Sequence, residues 1–237
     1  VKLRGARLWV AACLCFAFSG SALAAAAATS ATPAGLTHYV APQFPPGLRG
    51  VKQGDGHVVL ALTVGGNGAV LDCVALEASH DAFAVAAVRA ARDWSFAPAN
   101  SATQPRREVM QFEFRRTGVV TSLAHAEAAA ESFVVAREDG ALRTVQWEAL
   151  PAPPRRATGG PPRLPPEATA QLRQSPVVAS FVIDSDGRVR VATVGAEVTA
   201  ELAAPLLDAM ASWRYAPPLL DGRAVQVQAT TRFGAAP

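Results

Sequence analysis

The chain has 237 residues, half of them apolar and 17% charged, which excludes a disordered polypeptide and leaves room for one or two packed domains. The formal charge is +3, and Lys2, Arg4 and Arg7 account for all of it, so the remainder is charge-balanced. A nucleic-acid partner, which needs a surplus of Lys and Arg facing phosphate, is excluded on that ground.

In chain order, residues 1–24 read as a secretory signal: a cationic head, the apolar run Leu8–Phe18, and Ala22-Leu23-Ala24 as a cleavage site. The competing reading is an uncleaved anchor over Leu8–Ala27, close to the ~20 apolar residues that cross a bilayer. Cys13 and Cys15 belong to this segment. Cys73 then stands alone in VLDCVALEA, where a buried strand thiol is expected, with no internal disulfide.

Val58, Leu60, Leu62 and Val64 alternate as a half-buried strand. Gly65-Gly66-Asn67-Gly68 turns the chain into a second strand near Val70–Glu77. A helix follows, with Phe83, Val88, Ala91 and Trp94 near helical spacing and Asp81 as the expected N-cap. A last strand carries Met110, Phe112 and Phe114 on one face. In the connector, 118–160, Ala124–Glu131 suggests a short helix. Ser132–Arg137 and Thr144–Leu150 suggest a hairpin about Glu138-Asp139-Gly140, and 151–166 is a stiff Pro-rich linker.

The elements then recur. Gly68 and Gly187, Trp94 and Trp213, Pro98 and Pro217, and Phe114 and Phe233 are each 119 apart. Val177, Ala179, Phe181 and Ile183 alternate as the first strand did, and Asp184-Ser185-Asp186-Gly187 leads to a strand near Arg188–Val194. Leu202, Leu206, Met210 and Trp213 mark a helix in which Pro205 either opens the helix proper or kinks its first turn. Val225, Val227, Ala229, Thr231 and Phe233 make the final strand. The fold class is α+β, two tandem copies of a small sandwich: a β-hairpin, a helix on one face of an antiparallel sheet, and a final strand, at 36–117 and 161–237.

These residues resemble the TonB C-terminal domain family. The first copy carries the pattern as Pro42, Phe44, Pro45, Gly68, Val70, Trp94, Phe96 and Pro98; the second as Pro162, Pro165, Gly187, Trp213, Tyr215 and Pro217, with Leu164 in place of the aromatic. The resemblance implies a periplasmic, non-enzymatic module that takes an extended peptide of an outer-membrane TonB-dependent receptor, or of another envelope protein, as an added strand. It places that edge on the final strands, at Val109, Gln111, Glu113 and Arg115 in the first copy and Gln226, Gln228 and Thr230 in the second. The plain alternative for these polar residues is a solvated edge guarded against aggregation. Transducers of the family couple to ExbB/ExbD-like proteins through a membrane helix with a Ser-x-x-x-His pattern. Residues 8–27 contain no histidine, and Ala25–Pro42 reaches at most ~60 Å, so the binding role carries over better than energy transduction.

No cofactor or metal is expected. His38, His57, His80 and His125 show no metal-ligand spacing, and His80-Asp81 reads as a helix cap. Asp184-x-Asp186-Gly187 reads as a hairpin turn, not a calcium loop, for it lacks the later ligands. A second class of function stays open: a non-transducing structural protein whose two modules pair with each other, or scaffold an envelope complex, and close both edges into one sheet.

Overall fold

The computed structural model describes residues 35–48, 55–98, 104–115, 118–122 and 141–234. The N-terminal signal or anchor, the alanine-rich Ala124–Glu131 and the hairpin about Glu138-Asp139-Gly140 lie outside the described residues. No helix among those described is long and apolar enough to cross a membrane.

The first copy runs β1 (Leu36–His38), a 3-10 turn at Pro46–Leu48, β2 (Gly56–Val64), β3 (Val70–Ala78), α1 (Asp81–Ala91), β4 (Ser95–Phe96) and β5 (Arg106–Arg115). After β6 (Gly118–Ser122) and β7 (Leu142–Gln146), the second copy repeats the plan. It comprises β8 (Arg156–Thr158), α2 (Pro166–Gln174), β9 (Val177–Ile183), β10 (Val189–Val194), α3 (Ala200–Ser212), β11 (Arg214–Tyr215), the small hairpin β12 (Leu219–Leu220) and β13 (Arg223–Ala224), and β14 (Gln226–Phe233). The expected hairpin, helix and final strand are present twice.

The repeated residues have repeated tasks. Gly68 and Gly187 close their hairpins with φ of 85° and 81°, a region open to glycine at no steric cost. A Cβ at Gly68 would strike the Phe96 carbonyl, and one at Gly187 the Tyr215 carbonyl. In the same two places Phe96 N–H donates to Gly68 O and Tyr215 N–H to Gly187 O, both at 2.8 Å. The Trp indoles reach back to the lead-in segments: Trp94 Nε1 donates to Val40 O at 2.8 Å and Trp213 Nε1 to Gly160 O at 2.9 Å. The glycine and the Trp-x-aromatic pair are therefore one packing unit in each copy.

Local details differ from the sequence reading. His80, not Asp81, caps α1: its backbone is extended and its Nδ1 accepts from Ala82 N–H at 3.1 Å. Asp81 occupies the first turn, where a carboxylate complements the helix dipole. Pro205 lies inside α3, well past its N-cap Thr199. The Pro-rich stretch is tied into the second copy, because β8 pairs with β11 and Arg156 stacks over the Trp213 ring at 4.7 Å. α2 was not anticipated, although Pro at its start and Glu167 in its first turn are ordinary helix openers.

The two copies share one eight-stranded sheet, ordered β10-β9-β14-β7-β3-β2-β5-β6. α1, through Phe83, covers one face of the first copy over Val58, Leu60, Leu62, Trp94, Phe112 and Phe114. α3, through Leu206 and Met210, covers the second over Phe181, Ile183 and Trp213. The faces turned away from the helices meet each other: Val59, Ala61, Val74 and Leu76 pack on Val182 and Val191. β2, expected to be half-buried, is therefore buried on both faces from Val58 to Val64. The reason is tertiary, since the second copy supplies the cover where water was expected.

Candidate functional site

The candidate site is the pair of final strands. Alternation along β5 is as expected, with Met110, Phe112 and Phe114 buried and Val109, Gln111, Glu113 and Arg115 less so. Its position is not. β5 pairs with β2 from Gly56↔Phe114 to Val64↔Arg106, and its other side carries β6 from Gln111↔Ser122 to Arg115↔Gly118. The backbone groups of Gln111 and Glu113 thus lie between two strands, while Arg115 pairs with β6 alone. Val109 packs toward the inner core between the copies, and Glu113 pairs with Arg115 at 2.9 Å.

β14 has a second neighbour over its first residues only. β9 pairs along it from Val227↔Ile183 to Phe233↔Val177. On its other side β7 lies parallel, with Gln226↔Thr144, Val227↔Val145 and Gln228↔Gln146. Gln226, expected at a solvated edge, is buried; Gln228 is half-buried; Thr230 is exposed and lies past the last β7 pair. Part of each final strand thus has a second neighbour that the sequence reading did not include, while Val109 lies before the first β6 pair and Thr230 past the last β7 pair. Connector segments supply strands of their own, and alternation within a strand does not report what lies beside it.

β7 is a strap between the copies. Its start pairs antiparallel with β3 (Glu77↔Arg143, Ala78↔Leu142), and its remainder pairs parallel with β14. Leu142 packs against the first core, and Val145 joins Leu150, Val225 and Val227 in a small cluster of its own. Trp147, just beyond, meets the Tyr215 ring edge-on at 6.2 Å. Buried polar atoms fix the register. Gln226 Nε2 donates to Thr144 Oγ1 at 2.6 Å and to Ala75 O at 2.8 Å, while Thr144 Oγ1 donates to Leu76 O at 2.8 Å. Leu76 is the extra residue of a bulge in β3, so its carbonyl is out of the ladder and the threonine hydroxyl satisfies it.

A second polar contact joins the copies. Asp72 of β3 receives Arg190 Nε and Nη2, and also Val191 N–H at 2.9 Å. Arg190 Nη2 donates further to Cys73 O at 3.0 Å. The side chains of Asp72 and Arg190 are 31% and 29% exposed, so water screens this pair only in part. Both β3 and β10 are irregular here, and Val191 has φ of 44°, a strained value for a β-branched residue. Burial pushes the Asp72 carboxyl up, but the Arg190 hydrogen bond, the Val191 N–H, the Arg190 charge and the Cys73 N–H together hold it below its usual 3.8. The Arg190 guanidinium is raised by its hydrogen bond to Asp72 against the cost of burial.

The sequence reading gives none of Asp72, Arg190 and Thr144 a place in the site. A signal existed for two of them: opposite charges within apolar strands, 118 residues apart beside a repeat of 119. The family residues are core and turn. Pro42 is buried, Phe44 meets Phe83 edge-on at 5.5 Å, and Tyr215 stacks on Phe181 at 6.1 Å. Pro45 closes the 3-10 turn through its carbonyl, and Pro165 precedes α2. Pro162 is half-buried, and Pro98 and Pro217 are exposed just past the short strands. Cys73 is a buried free thiol that burial, and then the Asp72 charge, pushes up to about 12. Among the described residues there is no group of three or more His, Cys, Asp or Glu placed to hold a metal ion.

Residues 40–115 and 160–234 match the family described as Gram-negative bacterial TonB protein C-terminal. The solution NMR structure of the Pseudomonas aeruginosa TonB CTD is 28% identical, over 34% of this chain and 84% of that one, with a TM-score of 0.25. No curated protein matches the chain. Two matched segments covering most of the chain make it a TonB-like protein of the cell envelope, a member of the TonB C-terminal family that carries the domain twice.

Proposed function

We propose that this protein is a non-enzymatic strand acceptor of the periplasm, which binds extended peptides of outer-membrane transporters by main-chain addition to β5 or β14 and so contributes to TonB-dependent transport. One observation carries the reading: each final strand already bears an added strand drawn from the connector, antiparallel β6 on β5 and parallel β7 on β14. An edge that accepts one extended segment offers the same main-chain groups to another. Coupling to ExbB/ExbD-like proteins is the part of this role that depends on the N-terminal segment remaining as an anchor.

The test is calorimetric titration of the chain with synthetic peptides from the periplasmic tails of outer-membrane transporters. It is done on the unmodified protein and on Val120→Pro, which weakens β6 and uncovers β5. Binding that strengthens in the variant supports the reading at β5, and absence of binding in both ends it there; β14 is tested by releasing β7. A second reading, a closed scaffold whose modules seal each other, is supported by the continuous sheet and the Asp72–Arg190 contact. It anticipates that neither protein binds.

A further inference from the structure

We propose that the slot between β3 and β14 is a peptide site occupied by the chain's own β7, and that Gln226 selects for a Ser or Thr hydroxyl at the position of Thr144. This deepens the strand-acceptor reading, and rests on it for the incoming partner though not for the slot itself.

Three features of β7 mark it as a lodged ligand. First, it has the form of an added strand: five residues, Leu142–Gln146, paired through the main chain first with β3 at Leu142 and Arg143 and then with β14 from Thr144 to Gln146, with apolar side chains packed in separate clusters. Leu142 reaches the first core and Val145 the cluster with Val225 and Val227. Second, its pairing is partial. It engages β14 only over Gln226–Gln228, although β14 runs on to Phe233, and β3 only at Glu77 and Ala78. A strap built solely to weld the copies would gain from running the length of β14.

Third, the slot reads chemistry as well as shape. The Gln226 amide spans Ala75 O and Thr144 Oγ1, and the hydroxyl passes its own proton to Leu76 O. Thr144 and Gln226 are both buried. A segment lacking that hydroxyl would leave the Leu76 carbonyl and one Gln226 N–H without partners away from water, which is how a polar site rejects an apolar isostere. The preferred guest is therefore an extended segment with Ser or Thr followed by a compact apolar residue, as in Thr144-Val145. Such a guest must displace β7, so the second module is self-inhibited.

The experiment uses the full chain carrying Val145→Pro, which removes a main-chain donor in β7 and unseats the strap. The probe is a synthetic peptide of this chain's own residues 140–148. Binding is followed by fluorescence anisotropy and by amide exchange at Gln226–Gln228. The expected result is that the peptide binds the variant, restores protection at Gln226–Gln228, and binds about tenfold more weakly when its Thr144 position is Val but not when it is Ser. Failure of the peptide to bind a folded variant, or equal binding of the Thr and Val peptides, overturns the proposal.

Should Val145→Pro not fold, amide exchange on the unmodified chain decides. Exchange at Arg143 and Val145 at least tenfold faster than at Val182 of β9 supports a displaceable strap, and equal protection overturns it. A transporter-tail peptide added to the strap-released variant separates the two readings. If the 140–148 peptide binds and every transporter tail fails, the slot stands and the transporter role falls. If a tail binds where the 140–148 peptide does not, the self-occupancy falls alone.

Discussion

β5 and β14 are the same strand of the repeat, yet each is covered in a different way. β6 follows β5 almost at once in the chain and folds back on it antiparallel. A cover of that kind closes a short loop at small entropic cost and forms with the module it protects. β7 lies some eighty residues ahead of β14 in sequence and joins it parallel, through only three pairs. Long-range parallel pairing gives less back for the closure it requires, and buried side-chain hydrogen bonds make up part of the difference. The first copy is thus sealed locally, while the second is sealed by a segment that is also its link to the first.

The largest expected effect comes from breaking β5. Had β5 been an edge, Gln111→Pro would remove a docking surface and leave the fold unharmed. With β2 on one side and β6 on the other, the substitution instead disrupts a central strand. We expect a loss of about 3 kcal/mol or more, read as a drop in the urea midpoint. A variant as stable as the parent would mean that β6 is not in place and that β5 is the free edge after all.

Next is the contact that holds the copies face to face. Asp72→Asn removes the charge that gathers Arg190 and Val191 N–H, and should cost about 2 kcal/mol at neutral pH. The sign of its pH dependence is set by the depressed carboxyl. Asp72 contributes fully above the unfolded-state value near 4, and the contribution fades as pH falls from there through the lower folded-state value. Stability curves of parent and variant should therefore converge in acid and run parallel above about pH 5. Curves that diverge in acid would contradict the depressed value.

How far the sequence reveals this arrangement can be judged from particular residues. Gly68, Gly187, Trp94 and Trp213 announce the repeat because each meets a local demand: a turn with positive φ, or an indole tied to the lead-in segment of its own copy. The alternation of Met110, Phe112 and Phe114 likewise gives the buried face of β5. The lateral neighbours were hidden. Backbone pairing leaves no mark on side-chain periodicity, so β5 as an edge and β5 between two strands read alike. Thr144 and Gln226 are ordinary surface residue types, and only the meeting of β7, β3 and β14 buries them. Asp72 and Arg190 were visible as charges in apolar strands, but their pairing requires the face-to-face contact of the copies, which neither copy shows alone.

A smaller effect separates charge from shape at that contact. Arg190→Lys keeps the cation but loses the planar fork that reaches both Asp72 and the Cys73 carbonyl, so it should cost about 1 kcal/mol, clearly less than Asp72→Asn. A loss equal to that of Asp72→Asn would show that geometry, not charge, does most of the holding.

The least perturbing probe reads the same contact from beneath. Cys73 neighbours Asp72, and its thiol is raised to about 12 by burial first and by the Asp72 charge second. In the folded chain it should remain unlabelled by iodoacetamide at pH 8, measured on the peptide that contains it, because the thiolate is the nucleophile. Asp72→Asn removes only the lesser cause, so labelling should stay slow even in the variant. If Cys73 of the variant labels at the rate of an exposed thiol, the substitution has loosened the packing of β3 under α1, where Cys73 lies, and its effect is not confined to the contact between the copies.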